Sequence, residues 1–398
     1  MAQSGLDVLL AQSSEILHGK KVGIVTHAAA IDRNLRSSIE AIGTIPGIQI
    51  LKIFGPEHGL HGQAQDLIGV ADQEAKGIPT QVVSLYGKNF ESLKPTAEQL
   101  QDLDFLVIDL QDVGARFYTF QATMKYSLEV ALPMGLDVLV LDRPNPIGGL
   151  QVEGPGICKG FESFVGVHSI AVRHAMTIGE LASLYQKNIA LQNPGATLGQ
   201  LHIVACQNWE TDRYFDECKL PWVLPSPNMP TLQTAIVYPG QCLLEGTNLS
   251  EGRGTTRPFE ICGAPWIDAI GLSHRMNQLD LPGVKFRPVW FRPTFQKHAG
   301  IDCGGVQIHV LDAKRYAPVR TSLALLIQMR NESPEQFAWR SEIYEFVSDP
   351  IAIDLLFGSS KERLAIEQGR TWEQIAESWT AQEEAFRDQS KEHWIYPR

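Results

Sequence analysis

Cysteine is sparse and shows no paired spacing: Cys158, Cys206, Cys218, Cys242, Cys262 and Cys303 are scattered along 398 residues without a C-x-x-C. In a chain this long they read as small buried hydrophobes in a reducing compartment, not as a disulfide frame. No apolar run is long enough to span a bilayer. The N-terminal MAQSGLDVLLAQSSEILHGKK has neither the basic region nor the long apolar region of a secretory signal. A cytoplasmic location and no membrane partner are therefore expected. Positive charge is in deficit, with 34 Lys and Arg against 45 Asp and Glu and a formal net charge of −11. That balance argues against nucleic acid as a partner, although a local arginine cluster can still seat a small anion. The sequence also lacks a G-x-G-x-x-G after its first strand, a G-x-x-x-x-G-K-[ST] and a G-x-S-x-G. These absences argue against a nicotinamide cofactor, a P-loop and a nucleophile elbow. No cofactor is expected, and there is no internal repeat or low-complexity tract.

What is present is a globular chain, 44% hydrophobic and 20% charged, with the length of two domains. Short Val/Ile/Leu-rich runs occur at 21-KKVGIVTHA-29, 48-IQILKIFG-55, 80-TQVVSLYG-87, 104-DFLVIDLQD-112 and 137-DVLVLDRPNP-146. Consecutive apolar positions suit strands buried on both faces. Helix-like segments lie between them at 34–43, 95–103 and 119–135. A further helix over 177–191 opens with a Thr177/Glu180 capping box and leads to a strand at 200–209. This alternation predicts an α/β fold with a doubly wound, mostly parallel sheet over residues 1–245. A smaller α+β domain is predicted over 246–398: a helix at 265–279, strands near 284–291 and 304–311, then helices from about 319.

In such a sheet, ligands bind beyond the carboxyl ends of the strands, where strand order reverses. Polar residues collect at those ends: His27 after the first strand, Glu57 and His58 after the second. Asp109, Asp112, Arg116 and Tyr118 follow the fourth, and Asp142, Arg143 and Asn145 the fifth. The stretch 51-LKIFGPEHGLHGQAQD-66 is the least easily explained as structure. Gly55, Pro56, Gly59 and Gly62 suffice for a tight turn, and glutamate is a poor helix cap. Charged side chains on a rigid loop point to a ligand. The alternatives are plainer elsewhere. Asp142-Arg143 reads equally as a turn with a local ion pair, Asp109 and Asp112 as helix caps or partners of Arg116, and His27 as a satisfied structural histidine. A second cluster lies in 225-PSPNMPT-231, with Asn228, and in 246-GTNLSEGRGTTRPFE-260, with Asn248, Glu251, Arg253 and Arg257. Its two arginines make a seat for a carboxylate or phosphate, or else belong to an interdomain salt-bridge loop. His58-x-x-His61 with Asp66 has part of a metal-ligand spacing but no third histidine nearby, so no metal is expected.

GPEHG, DLQDVGARFYTF, LDRPNPIGG, EGP, LPSPNMPT, YPG and EGTNLSEGRGTTRPFE, in that order along nearly the whole chain, resemble the NamZ family of exo-β-N-acetylmuramidases, once catalogued only as a domain of unknown function. The resemblance implies a Rossmann-like N-terminal domain, a smaller C-terminal domain and an active cleft between them. The implied activity is release of N-acetylmuramic acid (MurNAc) from the non-reducing ends of peptidoglycan fragments, in cell-wall turnover. MurNAc-GlcNAc oligosaccharides become the expected partners, and the glutamate of the PEHG motif, here Glu57, the catalytic residue. Family members often carry a secretion signal, and none is read in this N-terminus. Glycoside hydrolysis needs an acid to protonate the leaving oxygen and usually a second carboxylate. Asp112, Asp109, Glu251 and Asp142 qualify for that second role, and the sugar's own acetamido group is another candidate. The catalytic set is Glu57, His58 and Asp112. The substrate-binding set is His27, Arg116, Tyr118, Asp142, Asn145, Asn228, Asn248, Glu251, Arg253 and Arg257, with one of the three arginines meeting the lactyl carboxylate. The competing readings are a non-catalytic muropeptide-binding protein and a metal-assisted hydrolase.

Overall fold

The computed structural model describes residues 1–65, 68–74 and 80–398. Six parallel strands, β1 (Lys21–Thr26), β2 (Gln49–Gly55), β3 (Gln81–Ser84), β4 (Phe105–Asp109), β5 (Asp137–Leu141) and β6 (Leu201–Val204), lie in the order β3-β2-β1-β4-β5-β6. The two-residue strand Gln73–Glu74 pairs antiparallel with the outer edge of β3. This is the dinucleotide-fold strand order, and it reverses between β1 and β4. The consecutive apolar positions have the predicted cause. In β4, Phe105 and Val107 pack with Val22, Ile24, Leu139 and Leu141 on one face. Leu106 and Ile108 pack with Val25 and Val140 on the other. With a side-chain period of two and both faces covered, the positions before the terminal Asp109 are all apolar.

The smaller domain carries an antiparallel sheet of β7 (Ile261–Ala264), β8 (Val284–Phe291) and β9 (Cys303–Val310), in the order β7-β9-β8, with helices around it. Strand β7, helix Leu232–Gln241 and the short helix Cys242–Gly246 were not read from the sequence as elements. Helix Leu232–Gln241 packs against helix Pro318–Glu332, and Cys242–Gly246 against helix Ala352–Phe357. By its packing the smaller domain thus takes in residues before 246. The first of these contacts needs Gly240, because a Cβ there would sit 2.0 Å from the Pro318 carbonyl oxygen.

Two buried polar clusters join parts of the chain that are distant in sequence. Arg116 is fully buried, and its guanidinium donates to three carbonyl oxygens: Pro155 (2.5 Å) and Ile170 (2.9 Å) of the first domain, and Leu356 (2.7 Å) of the second. Burial lowers its pKa to about 9, against the opposing charge of Glu362. Asp142 is also fully buried. Its carboxylate accepts from the backbone N–H of Arg143 and Gly179, the Thr177 hydroxyl, and the Tyr396 hydroxyl at 2.6 Å, which fastens the C-terminus to the edge of the sheet. Both residues were expected at the substrate. Neither lines the cleft described below: both terminal nitrogens of Arg116 and the Asp142 carboxylate are bonded within the fold.

Truncating Arg116 to Ala leaves three buried carbonyls without that donor. A loss of about 3–5 kcal/mol of stability is expected, as for removing one partner of a buried charged cluster. An Arg116→Ala protein that melts like wild type but has a raised KM would return Arg116 to the substrate. Burial, working against the hydrogen bonds from Tyr396, Gly179 and Thr177, raises the Asp142 pKa to about 6. The folded state therefore holds this proton more tightly than the unfolded chain. The contribution from Asp142 is greatest below its unfolded pKa and declines as pH rises to about 6, by about 3 kcal/mol in all. The melting temperature of wild type relative to Asp142→Asn should thus rise as pH falls from 6.5 to 4.5. A flat difference would contradict the shift.

Candidate active site

The turn after β2 is tight because of its glycines. A Cβ on Gly55 would lie 2.9 Å from the Leu60 nitrogen, and Gly59, at φ +78°, donates its N–H to the Pro56 carbonyl at 2.9 Å. His58 is a left-handed non-glycine residue at φ +69°, a conformation costing on the order of 1–3 kcal/mol and tolerated where the surroundings enforce it. Its Nδ1 lies 2.9 Å from the Ala64 carbonyl oxygen. Because a carbonyl only accepts, Nδ1 carries a hydrogen. Glu57 is 5% exposed, and its Oε2 accepts from the Thr119 hydroxyl at 2.7 Å.

Glu57 and His58 form one wall of a cleft with Phe117, Tyr118, Thr119 and Asn228. The facing wall comes from the second domain, with Tyr238, Glu245, Arg253, Phe259, Tyr344 and Glu345. The free space is about 30 Å³, room for a water molecule, so the cleft is closed in this conformation. Asn228 donates to Gln65 (2.7 Å), and Tyr86 donates across the domains to Glu345 (3.0 Å).

The charges of the second wall are ordered. Arg253 is paired with Glu245 (2.7 Å) and Glu251 (3.4 Å) and lies over the Phe259 ring at 5.0 Å. Glu251 is also held by Lys297 (2.8 Å), and Glu245 by the Tyr344 hydroxyl (2.7 Å). Burial pushes the Glu245 carboxyl up. The Arg253 charge and hydrogen bond, the Tyr344 hydroxyl and the Lys297 charge outweigh it and hold the pKa below the usual range, so Glu245 is ionised. The Tyr118 phenol is driven the other way. Burial, then the charges of Asp112 and Glu57, keep it protonated against Ser226 and Arg253. The cleft therefore offers a buried glutamate with a hydroxyl donor, a second carboxylate held ionised, and a neutral phenol.

Of the residues expected at the site, Glu57, His58, Tyr118, Asn228 and Arg253 come together here, with Glu251 behind Arg253. Asp112 does not line the cleft. It accepts from the Gly114 N–H (2.7 Å) and lies 3.3 Å from His174 Nε2. His27 accepts from the Gln111 N–H (2.9 Å), and burial, then the charges of Arg143 and His58, hold it neutral against the Pro225 carbonyl. Asn145 accepts from the Ile147 N–H in its own turn and donates to the distant Met176 carbonyl, and Asn248 bonds Gln336 and Ala338. Arg257 is half exposed on Glu260 (3.1 Å), and Asp109 is taken by Arg143 (2.6 and 2.9 Å). Asp66 lies outside the described residues, and among those described no three His, Cys, Asp or Glu gather as a metal site. Thr119, Glu245, Tyr344 and Glu345 were not anticipated. The first two stand inside motifs already noted, DLQDVGARFYTF and the start of the EGTNLSEGRG loop. Nothing local marks the last two.

Residues 22–233 match the family description "Exo-beta-N-acetylmuramidase NamZ, N-terminal", and residues 236–396 its C-terminal counterpart. The peptidoglycan β-N-acetylmuramidase NamZ of Bacillus subtilis (strain 168) is 43% identical over 396 residues, covering 99% of this chain and 91% of that protein. Two crystal structures of DUF1343 family proteins from Bacteroides fragilis superpose over 100% of this chain and 99% of theirs. Their TM-scores are 0.87 at 31% identity and 0.76 at 25%. By family matches over both domains, the chain belongs to the exo-β-N-acetylmuramidase NamZ family.

Proposed function

We propose that this enzyme releases MurNAc from the non-reducing end of peptidoglycan fragments, with Glu57 moving the proton at the scissile oxygen. The observation that carries the reading is a buried glutamate on a glycine-bounded turn, facing an ionised carboxylate from the other domain across one cleft. Two carboxyl groups in unlike environments are what glycoside cleavage uses. Glu57 gives its proton to the leaving oxygen and recovers one from the incoming water. Glu245, kept charged by Arg253 and Tyr344, stands against the positive charge that develops at the anomeric carbon. Tyr118 and the His58 ring orient the sugar. Arg253, the one of the three expected arginines that lines the cleft, meets the lactyl carboxylate. A cleft this narrow must widen for entry, and the Tyr86–Glu345 bond is one of the contacts between the domains beside it. Cell-wall turnover is the setting this activity fits.

Glu57→Gln keeps an acceptor for the Thr119 hydroxyl but has no proton to give. It should fold and bind the sugar while kcat falls about 10²–10⁴-fold, the usual share of general acid–base catalysis. Near-wild-type turnover with an unchanged melting curve would remove Glu57 from the mechanism.

Arg253→Ala should weaken kcat/KM on a chromogenic β-muramide by about 2–5 kcal/mol, the range for truncating one partner of a buried charge pair. Hydrolysis of the corresponding N-acetylglucosaminide, which lacks the lactyl carboxylate, should fall by less, by the share that the lost brace on Glu245 accounts for. Equal losses on both sugars would make Arg253 only a brace for Glu245 and Glu251.

A further inference from the structure

Beside the cleft, and sharing Glu345 with it as a wall, lies a second hollow of about 310 Å³. Gly69, Tyr86, Lys88, Ile343 and Phe346 complete most of its lining. That volume is at the lower end of the range for small-molecule sites, about 300 Å³ upward.

The shared wall is built from an unfavourable turn. Tyr344 and Val347 exchange backbone hydrogen bonds, 2.9 Å in each direction, around the two residues Glu345 and Phe346. Both have positive φ, 46° and 67°. A two-residue hairpin turn with both central residues in this region favours Asn-Gly, and Glu-Phe is a poor structural choice for it. Such outliers concentrate where the side chains serve a ligand. Here the turn sets Glu345 against the Tyr86 hydroxyl and the Phe346 ring edge-on to Tyr86, with centroids 5.8 Å apart. Ile343, at the rim, is 65% exposed and adds apolar surface beside Phe346.

Resting on the reading above, that the cleft takes a terminal MurNAc, we infer that the hollow seats the next sugar, the N-acetylglucosamine on the leaving side of the scissile bond. Phe346 and Ile343 offer apolar surface to the face of a pyranose, and Lys88 offers donors to its hydroxyl and acetamido oxygens. Binding energy gained on the leaving side speeds cleavage of a sugar–sugar bond, whose leaving group is poor. It does little for an aryl glycoside, whose leaving group departs readily and makes none of these contacts.

The test compares wild type with Phe346→Gly and Lys88→Ala on the disaccharide MurNAc-β-1,4-GlcNAc and on 4-nitrophenyl β-N-acetylmuramide, with thermal melting alongside. Phe346→Gly removes the ring while giving the turn a residue suited to its φ, which offsets part of the packing lost against Tyr86, and the melting curve checks that the variant is folded at the assay temperature. Each variant should lose kcat/KM on the disaccharide by about 10-fold or more and change by less than about 3-fold on the aryl glycoside. Equal losses on both substrates, or no loss on either, would overturn the inference and leave the functional reading standing. A loss confined to substrates bearing a stem peptide would also overturn it, assigning the hollow to the peptide. A wild-type protein that hydrolyses neither substrate would sink the functional reading and, with it, the inference.

Discussion

Arg116 is a cation buried between two domains with no carboxylate bonded to it, and the geometry of the cleft follows from where it is held. Three carbonyl oxygens from distant parts of the chain converge on one guanidinium. Desolvating a cation is expensive, and carbonyl dipoles return only part of the loss. The arrangement persists because the surrounding packing enforces it. Its consequence is local. The Arg116 N–H also bonds the Val172 carbonyl at 2.8 Å, and the next three residues, Phe117, Tyr118 and Thr119, are cleft residues. Thr119 in turn holds Glu57. A fully buried side chain is thereby linked, through the run 117–119, to the carboxylate of Glu57 in the cleft.

Most of the first domain was legible in the sequence because a strand buried on both faces can be only one thing. Consecutive apolar residues such as FLVI (105–108), bounded by polar and turn residues, leave little room for another reading. Glu57 stood out for a different reason: its glycine-bounded turn needs no charge, and glutamate is a poor helix cap. The second domain was less legible. Helix Leu232–Gln241 contains Pro239 and Gly240, both poor helix formers, and it forms there because tertiary packing overrides propensity.

Residues whose function lies in a partner far along the chain were the ones misread. Arg116 stands beside a cleft-lining run and carries a charge, so it looks like a ligand reader. That its partners are backbone carbonyls at 155, 170 and 356 cannot be seen from its neighbours in sequence. Asp142 ends a strand at the ligand-binding edge of the sheet, yet its closest partner is Tyr396. Glu345 was missed for the opposite reason. It lies in 341-SEIYEFVSDP-350, which carries no motif, and only the fold carries it to the cleft wall opposite Glu57.

An enzyme that acts on an anionic sugar through a positively charged transition state faces contradictory electrostatic demands within one cleft. The charge developing at the anomeric carbon favours carboxylates nearby, and Glu57, Glu245 and Glu345 all line the cleft. The lactyl group of the proposed substrate is itself a carboxylate, which that same field repels. A fixed cation resolves the conflict only if it stays charged and in place. Arg253 meets both conditions: guanidinium does not readily lose its proton, and Glu245, Glu251 and the face of Phe259 hold it from three sides. Lysine is a poorer choice at such a site, because its ammonium is compact, its stem flexible and its pKa readily lowered by burial. The net negative charge of the protein and the arginine in its cleft are therefore compatible. The acidic residues suit the reaction centre, and one well-braced guanidinium suits the group that distinguishes this sugar from its neighbour.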